Sequence, residues 1–256
     1  MFRKLRIMLL LYALFLVAGG TWLTGERTTD WDDALWVVVH PIAGDDSATT
    51  EAFVRNLSHD SFVDVEAFFA TQAKHYGVSL SQPFIVRAGA VLEAMPPAPP
   101  TNGNTVEVMW WSLNLRWWSW RVGREHDDIP AHIRVYMVLH DPRSNLRVAD
   151  SLGLEKALIG VTHGFAGHKF QRRNNVIIAH ELLHTVGATD KYGLATNLPI
   201  HPHGFAEPDR EPLYPQRKAE IMAGRIPRTA TRADIPTSLK RVLVGPQTAL
   251  EIRWLE

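Results

Sequence analysis

The sequence predicts an α/β fold, in which a mixed, twisted sheet is covered by crossover helices. Two observations predict it. Short β-branched apolar runs recur along the chain, and segments with the apolar spacing of amphipathic helices lie between most of them. The composition, with 46% hydrophobic and 21% charged residues in a chain of 256, is typical of an ordinary globular protein.

The order of these segments is strand, helix, strand, helix, strand, strand, helix, which is typical of a sheet with crossover connections. The predicted strands are Ala34–Ile42, Pro83–Gly89, His132–His140 and Ala157–Gly164. The predicted helices lie within residues 44–57, 61–77, 105–122, 174–186 and 246–255. We expect Asn174 or Asn175 to cap the fourth helix and Pro246 to lie in the first turn of the last.

The third predicted helix is unusual because it contains five tryptophans. Its large apolar residues share one helical face: Val106, Met109, Trp110, Leu113, Trp117 and Trp120. Some of them also alternate as in a strand, but the length of the segment favours a helix. We interpret the face as packing onto the sheet, because aromatic side chains dominate ordinary cores. The alternative is an aromatic patch at a membrane interface.

The N-terminus is typical of an export signal, with three basic residues followed by an apolar run. Ala18 and Gly20 are small residues with the spacing that a signal peptidase prefers. Without cleavage, Ile7–Leu23 spans 17 residues, which is the short limit for crossing a bilayer as an anchor. We therefore divide the chain into a signal peptide or membrane anchor, residues 1–25, and a single domain, residues 26–256. Both alternatives place the domain outside the cytoplasm, facing the periplasm or the exterior.

Charge and cysteine content exclude several classes of function. The formal net charge is zero, so no basic surface predicts a nucleic-acid partner. The chain has no cysteine, which excludes disulfides, thiolate nucleophiles, cysteine-ligated zinc and latency by a cysteine bound to zinc.

The chemistry lies in His180-Glu181-Leu182-Leu183-His184, an H-E-x-x-H pattern inside an apolar helix. Two histidines four residues apart lie on one helical face, where their imidazoles can bind one ion at ~2.0–2.1 Å each. Glu181 lies beside the first histidine, from which its carboxylate can take the proton of a metal-bound water.

Two histidines supply only two zinc ligands, and the following residues supply a third. Gly187 can adopt positive φ and end the helix sharply. The chain then turns back, so that Asp190, three residues later, can bring its carboxylate under the metal. Four other residues remain alternatives for the third ligand: His201, His203, Glu211 and Glu220.

The pattern H-E-x-x-H-x-x-G-x-x-D resembles the zinc signature of the metzincin metallopeptidases, in the form with aspartate last that the snapalysin-type small neutral proteases have. A second family landmark, a methionine-containing turn under the metal, has its counterpart in Met222 of "AEIMAGRIP", although an ordinary core methionine is the alternative reading. The resemblance covers about Val176 to Met222. It implies a metzincin-like fold with a zinc-binding active-site helix, a methionine turn and a C-terminal helix. The tyrosine that many members carry after the turn is absent here, and Tyr192 and Tyr214 are candidate substitutes.

The resemblance implies an exported zinc metallopeptidase that hydrolyses a peptide or protein substrate through a zinc-activated water, with Glu181 as general base. It also implies that Ala157–Gly164 is the edge strand and that Gly160–Gly164 contacts bound peptide. We interpret His163 and His168 as surface residues or as supports of the ligands. The alternatives are a zinc hydrolase of a non-peptide or cell-wall amide, or a non-catalytic zinc-containing binding module. Glu181 argues against the last, because a structural zinc does not need it.

Overall fold

The computed structural model describes Met8 and residues 29–255, apart from residues 102, 128–129, 146, 150 and 155–156. The predicted export segment, residues 1–25, lies outside the described residues except for Met8. Within the described part of the chain, no helix is both long enough and apolar enough to cross a membrane.

A five-stranded, mostly parallel sheet forms the centre of the molecule, which confirms the prediction of a mixed α/β sheet. Its strands are β1 Leu35–Ala43, β2 Phe84–Ala88, β3 Ile133–His140, β4 Leu152–Leu154 and β5 Ile159–Phe165. The spatial order is β2-β1-β3-β5-β4, in which the first four are parallel and β4 runs antiparallel to β5. The inner strands are rich in β-branched residues because helices cover both of their faces.

Helices lie on both faces of the sheet. They are α1 Ala48–Arg55, α2 Val63–His75, α3 Thr105–His126, α4 His168–Thr185 and α5 Pro246–Glu251. Short strands follow α4: β6 Tyr192–Gly193, β7 Leu198–Pro199, β8 Ala219–Glu220, β9 Ile226–Thr229, β10 Arg232–Asp234 and β11 Val242–Leu243. Single 3₁₀ turns span His59–Ser61, Ile221–Ala223 and Leu239–Arg241.

The larger of two cores fixes the position of α4. It lies between the sheet and α1, α2 and α4, and it contains Phe69, Met137, Leu182 and Leu183, all of them buried. Because two consecutive leucines of α4 are fully inaccessible, the helix cannot rotate without opening a cavity. The smaller core lies under α3, on the opposite face.

The packing face predicted for α3 is wrong. The structure buries Leu115, Trp118 and Val122, and the ring of Trp118 lies 4.5 Å from that of Tyr136 in β3. The large residues of the predicted face are exposed instead: Val106, Met109, Trp110, Leu113, Trp117 and Trp120. α3 has apolar residues on both sides, so the sequence offers two candidate packing faces. Which of them packs depends on how its side chains fit the sheet, and the sequence does not show that fit. The alternative of a membrane-interface patch stays a prediction.

The edge strand is also different from the predicted one. Ala157–Gly164 corresponds to β5, and β4 pairs with its other side at Ile159–Val161, so Gly160 does not lie at the edge of the sheet. Thr162–Gly164 pair with β3 but not with β4, so this part of the predicted segment has a strand partner on one side only. The edge strand next to it is β4, which we did not predict, because three residues are too few to show an alternating pattern.

The closing helix is shorter than predicted. α5 ends at Glu251, and the chain beyond it turns back into the core, where Ile252 and Trp254 are buried. The indole nitrogen of Trp31 donates to the carbonyl oxygen of Ile252 at 2.7 Å, which ties the two ends of the domain together.

Candidate metal centre

The helix that carries the H-E-x-x-H pattern begins earlier than predicted. It starts at His168, after Gly167 with φ 132°, so Asn174 and Asn175 are not caps but buried interior residues. Each uses its side-chain amide as a tether. Asn174 donates to the carbonyl oxygen of Phe165 at 2.9 Å, and Asn175 donates to that of Ser61 at 2.9 Å. These bonds satisfy the buried amides and fix α4 against its neighbours.

His180, His184 and Asp190, here called the ligand group, converge on one point. Oδ1 of Asp190 lies 3.3 Å from Nε2 of His180 and 3.2 Å from Nε2 of His184, and the two Nε2 atoms are 3.1 Å apart. Gly187 has φ 101° and turns the chain back after the helix, as the sequence predicts. Among the described residues, this is the group of histidine and acidic side chains with the proximity that a metal ion requires.

The spacing of the ligand group fits a tetrahedral ion. Ligand atoms at ~2.0–2.1 Å from a tetrahedral metal are about 3.3–3.4 Å from one another, close to the distances found here. Two imidazoles and one carboxylate suit zinc, although other divalent transition metals accept the same donors. Three protein ligands leave a fourth position for water or substrate, which is the arrangement of catalytic zinc sites.

Backbone carbonyls orient both imidazoles. Nδ1 of His180 lies 2.9 Å from the carbonyl oxygen of Ile221, and Nδ1 of His184 lies 2.8 Å from that of Ala188. A carbonyl only accepts, so each Nδ1 carries a proton, and Nε2 is the nitrogen of each ring that a metal can bind once its own proton has left.

Protonation of the ligand group competes with metal binding. Burial favours the neutral form of Asp190, but hydrogen bonds from both histidines outweigh it and hold its pKa well below its usual range. Burial also opposes a charge on His180, yet the hydrogen bond to Asp190 and the nearby Glu181 raise its pKa to about 9. An ion that binds here must displace this proton.

Glu181 is buried beside the ligand group, and burial raises its pKa. Its Oε2 atom has no hydrogen-bond partner among the described residues. A buried carboxylate oxygen without a partner is costly, and such groups in native proteins commonly face a water, an ion or a substrate. The orphaned oxygen therefore fits the role of a base that acts on a group at the metal.

A cavity of about 230 Å³, here called the site cavity, opens beside His180 and Glu181. Its other lining residues are Arg173, Val176, Ile177, Tyr192, Asn197, Ile221, Gly224, Arg225 and Ile235. A second cavity, of about 310 Å³ and lined in part by Asp64, Arg172 and Lys218, contacts none of the predicted site residues. The site cavity is thus where a ligand next to the metal would lie.

The alternative third ligands lie outside the ligand group. His201, His203 and Glu211 are exposed. Glu220 is fully buried, and its carboxylate accepts hydrogen bonds from Ala223 N, Gly245 N and Thr248 Oγ1, at 2.9, 3.1 and 2.7 Å. It supports the turn under the site rather than the metal.

Of the remaining predicted residues, Met222 and Tyr192 lie next to the site and Tyr214 does not line the site cavity. Met222 is fully buried in the 3₁₀ turn Ile221–Ala223, which packs against α4 and ends at Gly224 with φ 67°. Tyr192 lines the site cavity, whereas the ring of Tyr214 lies 5.8 Å from that of Phe205.

The two other histidines do not join the ligand group. His163 is half-buried, with its ring stacked 6.2 Å from that of His140. His168 is exposed at the start of α4, against Phe53.

Two arginines of the site cavity, Arg173 and Arg225, were not predicted from the sequence. Arg173 lies seven residues before His180, and this spacing on one helical face is a signal that the sequence does contain. Arg225 reaches the cavity through the turn at Gly224, so only the tertiary structure places it there. A search of protein families finds no match to this chain, and a search of curated proteins finds none either.

Proposed function

We propose that this protein is an exported zinc metallopeptidase with a metzincin-like fold. The observation that carries the proposal is the convergence of the ligand group beside Glu181, whose carboxylate oxygen Oε2 has no partner among the described residues, with His180 and Glu181 both lining the site cavity. A non-catalytic zinc module would have no use for a buried base in this position. The buried turn at Met222 and the short helix α5 are further features that support the family resemblance.

The ligand group and Glu181 have different roles in the proposed peptide hydrolysis. A zinc ion held by the ligand group would polarise the scissile carbonyl and acidify a water molecule. Glu181 accepts the proton of the attacking water and passes it to the leaving amine. The raised pKa of Glu181 suits this shuttle, because a carboxylate in a water-excluded site is a stronger base than an exposed one.

The edge strand β4 supports an extended peptide substrate. It pairs with β5 on one side only, so its other edge offers backbone groups to an added strand. A Cβ on Gly153, in the middle of β4, would lie 2.6 Å from the carbonyl oxygen of Glu181, so this edge runs directly beside the proposed base.

The proposal is tested with the full-length chain and a variant that keeps the shape of the base. Zinc content and cleavage of a mixed peptide library are measured for the parent and for Glu181→Gln. We expect about one zinc per chain in both, and a loss of cleavage of roughly 10²–10⁴-fold in the variant. Zinc-loaded parent protein that cleaves no peptide, or undiminished cleavage by Glu181→Gln, would contradict the proposal. Adding a cell-wall amide to the panel separates peptide from other amide substrates.

We also propose that residues 1–25 export the domain and hold it at the membrane when they are not cleaved. Fractionation of cells that express the full chain, with N-terminal sequencing of the product, tests this. Domain found in the cytoplasm would contradict export, and an N-terminus after Ala18 or Gly20 would replace the anchor with a cleaved signal.

A further inference from the structure

We propose that the site cavity is a carboxylate-binding pocket, in which Arg173 and Arg225 select substrates that carry an acidic group next to the bond that is cleaved. This inference rests on the proposed function, since it names the class of peptide that the site would accept.

The two arginines come to the cavity from different elements. Arg173 lies on α4, two turns before His180 and on the same helical face. Arg225 directly follows Gly224, whose positive φ turns the chain out of the 3₁₀ turn under the metal. Both line the same 230 Å³ cavity as His180 and Glu181, so a group held by the guanidinium ions lies next to the reacting centre.

Neither guanidinium has an ion pair or a hydrogen bond with another residue in the part of the chain that the structure describes. This sets them apart from Arg134, Arg143 and Arg228, each of which lies 2.7 Å from an aspartate oxygen. Both cavity arginines are half-buried.

Two like charges held together in a partly dry cavity raise the free energy of the protein. Burial lowers the pKa of Arg173, and the charge of Arg225 lowers it further. Since arginine stays protonated in proteins, the strain is relieved by an anion rather than by loss of a proton. A carboxylate that accepts from one or both guanidinium ions supplies that anion with well-matched geometry.

The rest of the cavity fits an aliphatic stem. Val176, Ile177, Ile221 and Ile235 supply apolar walls. The volume of about 230 Å³ is smaller than the roughly 300–1,000 Å³ of pockets that enclose a whole drug-sized ligand, so the cavity takes one end of a ligand or one side chain. A carboxylate on a short stem has two sources in a peptide: an acidic side chain, or a free C-terminus one residue beyond the cleaved bond.

Binding is measured separately from catalysis, by calorimetry with the zinc-loaded full-length Glu181→Gln chain. One pair of probes is a blocked peptide, acetyl-Ala-Gly-Glu-Ala-amide, and its glutamine analogue. The other pair is acetyl-Ala-Gly-Ala with a free carboxylate and with an amide. We expect at least one carboxylate member to bind about tenfold tighter than its neutral partner, and the pair that discriminates identifies the source.

The residues are assigned by adding Arg173→Met or Arg225→Met to the same chain, with Arg172→Met as the matched control. Arg172 is the neighbouring arginine of α4, and it lines the other cavity. We expect either cavity variant to remove most of the discrimination while the neutral peptide binds as before, and the control to keep it. Arg225→Glu is expected to favour a lysine peptide over the glutamate peptide. Melting temperature and zinc content check that each variant is folded.

The inference is overturned if the Glu181→Gln chain that keeps both arginines binds the charged and neutral probes with equal affinity. It is also overturned if Arg172→Met lowers the preference for the charged probe as much as Arg173→Met or Arg225→Met does. Its failure is distinct from that of the proposed function. If the parent chain cleaves peptides without a preference for acidic ones, the carboxylate pocket is wrong and the proposed peptidase stands. If acidic probes bind selectively but no peptide is cleaved, the peptidase is wrong and the carboxylate pocket stands.

Discussion

Nδ1 of His180 donates to the carbonyl oxygen of Ile221 across 2.9 Å, which joins α4 to the 3₁₀ turn Ile221–Ala223. Because Nδ1 is used in this bond, Nε2, which lies 3.3 Å from Oδ1 of Asp190, is the nitrogen of His180 that a metal could bind. The orientation of this candidate metal ligand thus depends on a turn 41 residues away in sequence.

Asp190→Ala is expected to weaken zinc binding more than 100-fold, because it removes one of three ligands, whereas loss of a supporting hydrogen bond alone costs 10–100-fold. The measurement is competition for zinc with a chelator of known affinity. His203→Ala, at an exposed histidine that was an alternative ligand, is the control and is expected to keep full affinity. The assignment of Asp190 is wrong if its variant binds zinc as the parent does.

Gly153→Ala is expected to destabilise the protein by roughly 1–3 kcal/mol and to lower zinc affinity. A Cβ there would lie 2.6 Å from the carbonyl oxygen of Glu181 and 2.6 Å from Cβ of His184, so β4 would have to move away from α4. Gly160→Ala in β5 is the control, because its Cβ would have ordinary contacts of 3.5 Å or more. Denaturant unfolding and zinc competition compare the two, and equal effects would contradict this packing of the edge strand.

Glu220→Ala is expected to cost about 3–5 kcal/mol of stability, because it leaves three buried donors without their acceptor. Glu211→Ala, at an exposed acid, is expected to change stability by less than about 0.5 kcal/mol. Urea denaturation gives both values. Zinc bound per folded molecule should stay the same in the two variants, and selective loss of zinc from Glu220→Ala would return it to the list of ligands.

The sequence predicted those features of the fold and the candidate site that depend on residues close together in the chain. His180, His184 and Asp190 lie within one helix and the turn after it, so the periodicity of the helix and the positive φ open to Gly187 were enough to bring them together. The inner strands were predictable for the same reason, because β-branched runs of this length are rarely helical.

The features that the sequence did not predict depend on contacts between segments far apart in the chain. Asn174 and Asn175 lie inside α4, where their side-chain amides donate to the carbonyl oxygens of Phe165 and Ser61, the second across 114 residues. Arg225 reached the site cavity through a turn whose placement rests on Glu220. No local pattern records such contacts, since they form between segments far apart in sequence.

Trp118→Ala is expected to destabilise the protein by about 3–5 kcal/mol, because the side chain is 6% exposed and packs against Tyr136. Trp110→Ala, on the same helix but 72% exposed, is expected to cost less than about 0.5 kcal/mol. Thermal and denaturant unfolding of the two variants check which face of α3 packs on the sheet. A larger loss for Trp110→Ala would restore the face predicted from the sequence.

The loop that carries Asp190 is held by an ion pair between Lys191 and Glu251, at 2.7 Å, with Lys191 buried. Burial raises the pKa of Glu251, but hydrogen bonds from Lys191 and Thr189 outweigh it and lower the pKa below the ordinary value of 4.5. A carboxyl whose pKa is lower in the folded state stabilises the fold above its unfolded pKa. That contribution disappears as the pH falls through the folded pKa.

Glu251→Gln is therefore expected to cost about 1–2 kcal/mol at neutral pH, and the difference from the parent is expected to shrink as the pH falls below 4.5. The free energy of unfolding is measured with urea between about pH 3 and pH 7. Glu51→Gln is the control, because the Glu51–Arg55 pair is solvent-exposed and is worth at most about 0.5 kcal/mol. A difference between parent and Glu251→Gln that grows toward low pH would mean that Glu251 is not charged in the folded protein.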